Sequence, residues 1–398
     1  MNMMYIIGDG IISPLGATTE ENYQAVKAGY TGIRQFQAGF RGMPNPIKAA
    51  LISPRDLEAL AAPYCGARTH AMSRYRQAMS AVFESAVSNT VPDQYRNEIL
   101  SSRKVAFVFC TTKGDVDSYR ELTDHTTRPR LYPWHVPQRM MDELKLPGKP
   151  YVVMNSSLSG LQAQIVANRL LCKDSPYDFA VVIGVELLSM FTINLLKSAG
   201  LVSEHFVQPF NGTYDGTNPG ESASCIVYMS EERYRKDRKG LHLPAVVKFV
   251  RGVVTCDPCY SKIPNPKGIA LQKSIRTVMQ EEYIRNLSFV NVHGTGLTSY
   301  NQMVFTALES SGLRKVPMNC FEGNFGHSSG STSLMNSILG AKSLENEEIL
   351  PTLGFQKKEK TEKVQVTTEV QSSKKISFLN VSMGFGGVNA VALFTKER

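Results

Sequence analysis

The chain reads as an α/β protein made of two halves with similar organisation, and three observations predict this. Short apolar runs of strand length alternate with helical patterns along all 398 residues, the order expected of βαβ units. Glycine is common, with 30 residues, and often falls where those runs end. Each half also holds a strand-to-helix elbow. Tyr151 to Met154 runs through Asn155-Ser156-Ser157-Leu158-Ser159-Gly160 into a helix. Phe321 to Leu334 (FEGNFGHSSGSTSL) turns helical from Ser331, with Leu334, Ile338 and Leu339 on one face.

Taken in order, Tyr5-Ile6-Ile7 is a first strand, and Ile11 to Gly16 (IISPLG) is a turn. Thr18-Thr19-Glu20-Glu21 opens a helix with a capping pattern. Gly8-Asp9-Gly10 is no dinucleotide fingerprint, so no such site is assigned. Residues 70 to 90 read as a helix with Met72, Met79, Val82 and Phe83 inward, and Lys104 to Cys110 as a buried strand. Residues 115 to 150 are irregular, rich in Pro and Arg, and hold the only tryptophan, Trp134. A segment of that length without periodicity is expected to be a cap or an interface. After the elbow helix to Leu171, Phe179 to Val185 is a strand ending at Glu186. Gln208 to Ala223 is a glycine-rich crossing into the strand Cys225 to Met229. The second half starts near Leu241, with strands at Val246–Thr255, Phe289–His293, Ile376–Val381 and Ala390–Phe394. Lys357 to Lys374 is polar and expected to be an exposed excursion, and Gly384-Phe385-Gly386-Gly387 is a tight turn before the last strand.

Composition bounds the function. With 42% hydrophobic and 20% charged residues, the chain can bury a large core. No apolar run approaches the ~20 residues that span a bilayer, so no membrane span is expected. The start, MNMMYIIGDG, lacks a basic leader region, and a cytoplasmic protein is expected. The seven cysteines are scattered and odd in number. Cys256 and Cys259 form a CxxC without the two further ligands that zinc needs. The net charge of +9 allows an acidic partner. Its basic clusters, Arg233 to Lys239 and Lys357 to Lys363, are interrupted by acids and lack interleaved aromatics. They read as solvated faces, not as a nucleic-acid groove.

The candidate site rests on two histidines. His327 lies among Gly323, Gly326, Ser328 and Ser329, just before a helix whose free N–H groups favour negative charge. His293 ends the strand of FVNVHGTG and enters a Gly-Thr-Gly turn. The elbow at residues 155–160 presents one side chain at a helix N-terminus, the geometry of an activated nucleophile.

These stretches together resemble one family. IISPLG, NSSLSG, PFNGTYDGTNPGES, VHGTG, GNFGH, ILPTL and GFGGVNA fall in the order and spacing of the β-ketoacyl-acyl carrier protein synthases, condensing enzymes of the thiolase fold. The resemblance covers residues 6 to 394. It implies a thiolase-like fold with two similar βαβ halves, residues 1–240 and 241–398, forming a five-layered αβαβα core, with 115–150 as a cap on the first half. It implies decarboxylative Claisen condensation: an elbow cysteine takes the acyl group, two histidines stabilise the enolate, and backbone N–H groups hold the oxyanion. It implies no cofactor, since substrates ride on the phosphopantetheine of an acyl carrier protein. The implied partners are that carrier protein and a second subunit, as a homodimer or as a heterodimer with a cysteine-bearing ketosynthase. Carried over, the histidines are His293 and His327. Phe385 supplies an oxyanion N–H and gates the acyl pocket, and Asn389 falls on the family's final-motif asparagine. Met383, next to the GFGG turn, either shapes the pocket or packs in the core. Arg128, Arg130 and Lys149 are carrier-docking candidates.

The departures are as informative. Ser157 stands at the cysteine position. Glu322 and Asn336 replace a lysine–glutamate pair, a coordinated loss because a buried cation without its anion is costly. Asn301 replaces an aspartate. A serine hydroxyl needs an adjacent base, and in this family the histidines point donors at the substrate, so self-acylation is expected to be impaired. Three functions follow: a condensing enzyme using Ser157, a non-condensing partner resembling chain-length factors, or a malonyl-carrier decarboxylase. A Glu322 carboxylate facing the site would suppress even decarboxylation.

Overall fold

The computed structural model describes residues 3–40, 44–66, 69, 72–116, 132–211, 216–240, 246–258, 263–356 and 364–397. The first half supplies strands β1 (Met4–Ile12), β2 (Val105–Cys110), β3 (Tyr151–Val153), β4 (Phe179–Glu186) and β5 (Ser222–Ser230). Its helix α1 (Arg74–Asn89) precedes β2, and α2 (Ser159–Leu170) follows β3. The second half repeats the series with β6 (Val247–Cys256), α3 (Ile269–Val278), β7 (Leu287–Val292), α4 (Thr298–Ser310), β8 (Pro317–Asn319), α5 (Ser329–Glu345), β9 (Ser377–Met383) and β10 (Val388–Lys396).

Strand order is β3-β2-β4-β5-β1 in the first half and β8-β7-β9-β10-β6 in the second. The pairing sense matches strand for strand: β1/β5 and β5/β4 are antiparallel and β4/β2 and β2/β3 parallel, as are their counterparts β6/β10, β10/β9, β9/β7 and β7/β8. The two halves join through one short seam, where Met4 and Tyr5 pair with Phe249 and Lys248. β2, β4, β5, β7 and β9 are buried along their whole length, and β2 and β4 accordingly read as near-continuous apolar runs without alternation.

Three cores give the layering. α1 packs its Ala78, Val82 and Phe83 on the outer face of the first half, against Phe107, Val181 and Val227. α3 and α4 cover the outer face of the second half, with Leu271, Ile275 and Val304 against Val290 and Leu379. α2 and α5 lie between the two halves. Leu161 and Ile165 of α2 and Leu334 and Ile338 of α5 meet Val182, Tyr228, Phe249 and Phe378 from both halves. The order is helix, sheet, helix, sheet, helix, the five-layered thiolase-like arrangement.

α2 and α5 can cross closely because both are built from small residues. A Cβ on Gly160 would lie 2.8 Å from the Leu334 nitrogen and 2.9 Å from the Gly330 oxygen. The Ser333 hydroxyl also accepts the Leu161 N–H at 2.9 Å.

The capping box at Thr18 is present, its side chain bonded to the Glu21 N–H and opening a helix over Thr19–Lys27. Other expectations need correction. Segment 115–150 contains a helix, His135–Glu143, which buries Val136, Met140 and Met141. Its Pro137 and interspersed polar residues had masked the period. Segment 357–374 is only partly an excursion: Gln365–Val366 adds a strand beyond β8, Gln371–Ser372 pairs with Glu348–Ile349, and Thr367 is fully buried. Backbone pairing holds this segment, and it leaves no apolar pattern to read. The hairpin Ile33–Phe36 with Ile47–Ala50 and the helix Pro54–Cys65 were not anticipated. Arg128, Arg130, Cys259 and residues 357–363 lie outside the described residues. Among the described residues no helix is long and apolar enough to cross a membrane.

Candidate active site

Four segments converge where β3, β7, β8 and β9 end. The first is the elbow after β3. The Asn155 N–H donates to Ser159 Oγ at 2.8 Å, and that hydroxyl donates to the Ser156 carbonyl at 2.6 Å. This knot holds Ser156 in the left-handed region, φ 49°, an unusual conformation for serine that turns Ser157 towards the interior just before α2. Ser157 is 8% exposed.

The second segment carries His327 in front of α5. Its backbone is clamped by the glycine-rich crossing: the His327 N–H donates to the Asn218 carbonyl at 2.7 Å, and the Gly220 N–H to the His327 carbonyl at 3.0 Å. A Cβ on Gly220 would sit 2.2 Å from the Phe325 carbonyl, so only glycine permits this approach. The third segment is His293, which leaves β7 with its N–H on the Val381 carbonyl at 2.9 Å. The fourth is the β9–β10 turn. Ser382 Oγ donates to the Ser157 carbonyl at 3.4 Å, and a Cβ on Gly384 would fall 2.8 Å from Ser156 Cβ. Phe385 follows at the mouth, 40% exposed, its ring edge-on to Tyr300 at 6.1 Å. Asn389 is buried and donates to the Gly387 carbonyl at 3.0 Å.

Ser157, His293 and His327 are therefore brought together, and Glu322 is among them. Ser157 Oγ lies 3.1 Å from His327 Nε2. His327 Nδ1 lies 2.8 Å from Glu322 Oε1 and 2.9 Å from His293 Nε2, with the two imidazoles stacked at 4.6 Å. Glu322 Oε1 is 3.2 Å from His293 Nε2, and its Oε2 accepts the Thr217 hydroxyl at 2.9 Å. His293 Nδ1 faces the Met383 carbonyl at 3.1 Å. A carbonyl only accepts, so Nδ1 carries a proton, while Nε2 faces the Glu322 carboxylate and His327 Nδ1.

Glu322 is 2% exposed. Burial alone would raise its carboxyl, but the facing His327 and His293 override that and bring it down to about 2. Burial pulls His293 below the usual histidine range, and the Glu322 carboxylate offsets this only in part. The site therefore holds an ionised carboxylate beside a neutral imidazole.

His327 Nε2 is within hydrogen-bond reach of Ser157, and Glu322 faces the opposite ring nitrogen. Asn336 is buried on α5 with its side-chain oxygen unpartnered. Asn301 is buried on α4.

Two residues beside the site were not anticipated. Thr217 orients Glu322 from within the glycine-rich crossing, where nothing in its spacing marks it. Cys320 lies behind the carboxylate, its sulfur accepting the Glu322 N–H at 3.4 Å, and burial pushes its thiol well up. Its Sγ turns to the Gly294 carbonyl and not to Ser157, so it does not replace the missing nucleophile. His293, Glu322 and His327 also present three possible metal-ligand atoms within 4.8 Å of one another.

The comparisons fit this geometry. The family description "Beta-ketoacyl synthase, N-terminal domain" matches residues 1–233, and "Beta-ketoacyl synthase, C-terminal domain" matches residues 247–356. The chain is 21% identical to a 3-oxoacyl-[acyl-carrier-protein] synthase 2 of Rhizobium meliloti (strain 1021), over 100% of this chain and 99% of that protein. Among solved structures, the ishigamide ketosynthase/chain length factor superposes with a TM-score of 0.82 at 19% identity, over 99% of each chain. A type II polyketide synthase ketosynthase, solved with its acyl-carrier protein, superposes at 0.80 and 14% identity, again over 99% of each. At those identities the structural likeness establishes the fold.

Proposed function

Because the chain belongs to the β-ketoacyl synthase family of fatty-acid and polyketide biosynthesis, we propose that it acts on acyl thioesters carried on the phosphopantetheine of an acyl carrier protein, and that it does not condense them. The observation that carries this reading is the Glu322 carboxylate, 2.8 Å from His327 and 3.2 Å from His293. Condensation needs two imidazole N–H donors on the malonyl thioester carbonyl, and then loss of the malonyl carboxylate as CO2. Here His293 Nε2 and His327 Nδ1 both face the Glu322 carboxylate, and His327 Nε2 faces Ser157. A malonyl carboxylate would also face a fixed like charge. The same feature removes the support for the malonyl-decarboxylase alternative.

The reading includes a dimer, with a second copy or with a cysteine-bearing ketosynthase. β3 is the edge of the first half's sheet, Tyr151 and Met154 at its ends are exposed, and Tyr132 and Trp134 are exposed as well. An open strand edge with exposed aromatics is a pairing surface.

The test is CO2 release from malonyl-carrier protein, with a cysteine-bearing synthase as the positive control. The chain is expected to bind the carrier in a salt-sensitive manner and to release no CO2. CO2 release, or a β-ketoacyl product from acyl- and malonyl-carrier together, would overturn the reading.

A further inference from the structure

We propose that Ser157, His327 and Glu322 form a serine acyl-transfer relay, and that the chain hydrolyses carrier-bound acyl thioesters through an oxyester on Ser157. This rests on the reading above that carrier-bound acyl thioesters are the substrates.

The relay is continuous. Glu322 Oε1 accepts at 2.8 Å from His327 Nδ1, which places the ring proton there and the lone pair on Nε2. Nε2 then accepts the Ser157 hydroxyl at 3.1 Å. The order nucleophile, imidazole, carboxylate is that of a serine-hydrolase triad. The carboxylate is held in place: Thr217 donates to its other oxygen at 2.9 Å, and the Glu322 N–H is anchored on Cys320 Sγ. Among the described residues its only ion-pair partners are the two histidines, so no lysine or arginine competes for it. His293 closes the cluster, its Nε2 2.9 Å from His327 Nδ1 and 3.2 Å from Glu322 Oε1. When His327 takes the serine proton, the imidazolium that forms faces one full negative charge. Ser157 and His327 touch the reacting atoms; Glu322 is a positioning residue.

The two departures from the family pattern thus become one. A thiol can ionise without a base on the next residue; a serine hydroxyl cannot. Replacing cysteine by serine creates the need for a base, and a glutamate at position 322 converts a donor imidazole into that base.

The chemistry balances. The Ser157 oxygen attacks the thioester carbonyl as its proton passes to His327 Nε2. The tetrahedral intermediate collapses, the C–S bond breaks, and His327 protonates the departing sulfur, giving free carrier thiol and an acyl-Ser157 ester. Water then attacks the ester, again through His327 Nε2. The C–O bond to Ser157 breaks, the proton returns to the serine oxygen, and a carboxylic acid leaves.

The test uses the full chain with an octanoyl thioester on phosphopantetheinylated acyl carrier protein, and separately a fluorophosphonate probe. Thiol release, acid release and intact mass are followed. Thiol and acid are expected in equal amounts, with acyl and phosphonyl adducts mapping to Ser157 and both absent from Ser157→Ala. Glu322→Gln should lower kcat by about 10²–10⁴ with KM little changed, and Glu322→Asp should recover part of the loss, a pattern that a purely structural role would not give. Fluorophosphonate labelling of the unaltered chain needs no variant to fold. Absence of both adducts and thiol release from a chain that still binds the carrier would overturn the relay while leaving the non-condensing reading intact. So would an unchanged kcat in Glu322→Gln. Stoichiometric zinc in the purified protein would overturn it too, since His327 Nδ1 would then be a ligand and Nε2 a donor. CO2 release from malonyl-carrier protein overturns the earlier reading instead.

Discussion

Gly160→Ala tests whether the crossing of α2 and α5 sets the catalytic distance. The added methyl would lie 2.8 Å from the Leu334 nitrogen, 2.9 Å from the Gly330 oxygen and 3.0 Å from Leu334 Cβ. Two of those atoms are backbone, so no side chain can swing aside. Restoring an ordinary contact needs the helices to part by roughly half an ångström, and overpacking of that kind costs about 1–3 kcal/mol. The Leu161 N–H to Ser333 Oγ bond stretches with it. Ser157 precedes one of these helices and His327 the other, so their 3.1 Å contact opens towards the limit of a hydrogen bond. Urea unfolding should show the stability loss. Fluorophosphonate labelling of Ser157 should slow by more than tenfold in protein that remains folded. A variant with unaltered stability and labelling rate would refute the argument that this glycine holds the two elbows at bonding distance.

Further outcomes are expected. Ser157→Cys should still acylate, as read by intact mass, yet release no CO2 from malonyl-carrier protein, because Glu322 remains; CO2 from this single variant would contradict the role given to the carboxylate. Glu322 has its carboxyl lowered from 4.5 to about 2, so it stabilises the fold fully above pH 4.5, and that contribution is lost as pH falls towards 2. The stability gap between the unaltered chain and Glu322→Gln should therefore close across that window in urea titrations, and a gap constant with pH would count against it. Thr217→Val removes the donor to Glu322 Oε2, a charge-assisted bond typically worth ~1.5–3 kcal/mol, and should lower kcat for thioester cleavage well before it affects carrier binding. Tyr151→Lys places a charge on the open strand edge, and sedimentation should then report monomer where the unaltered chain is expected to report a dimer.

Much of the fold was legible because its strands are buried on both faces. Val105–Cys110 and Phe179–Glu186 have no polar side to break the apolar run until the terminal glutamate, so they stand out. Both elbows were legible for a different reason: small residues cluster wherever two backbones approach, as Gly220 does against Phe325. β8, Pro317–Asn319, could not be read, since three residues carry no period and only its neighbours make it a strand. At the site, Ser157, His293, His327 and the anomaly at Glu322 were all visible as residues. Which ring nitrogen of His327 meets Glu322, and which meets Ser157, was not visible, and the chemistry turns on that. Thr217 illustrates the same limit, because its importance lies in a contact across 105 positions of chain.

Ser157 and His327 stand 170 residues apart, one in each half, and meet only where the two central helices cross. A ribosome therefore finishes the half that holds Ser157 before His327 exists. Under the proposed relay, a partly synthesised or half-folded chain would carry an inert serine, unable to attack the thioesters around it. Reactivity would switch on at the moment of docking, so labelling of Ser157 would time the last step of assembly.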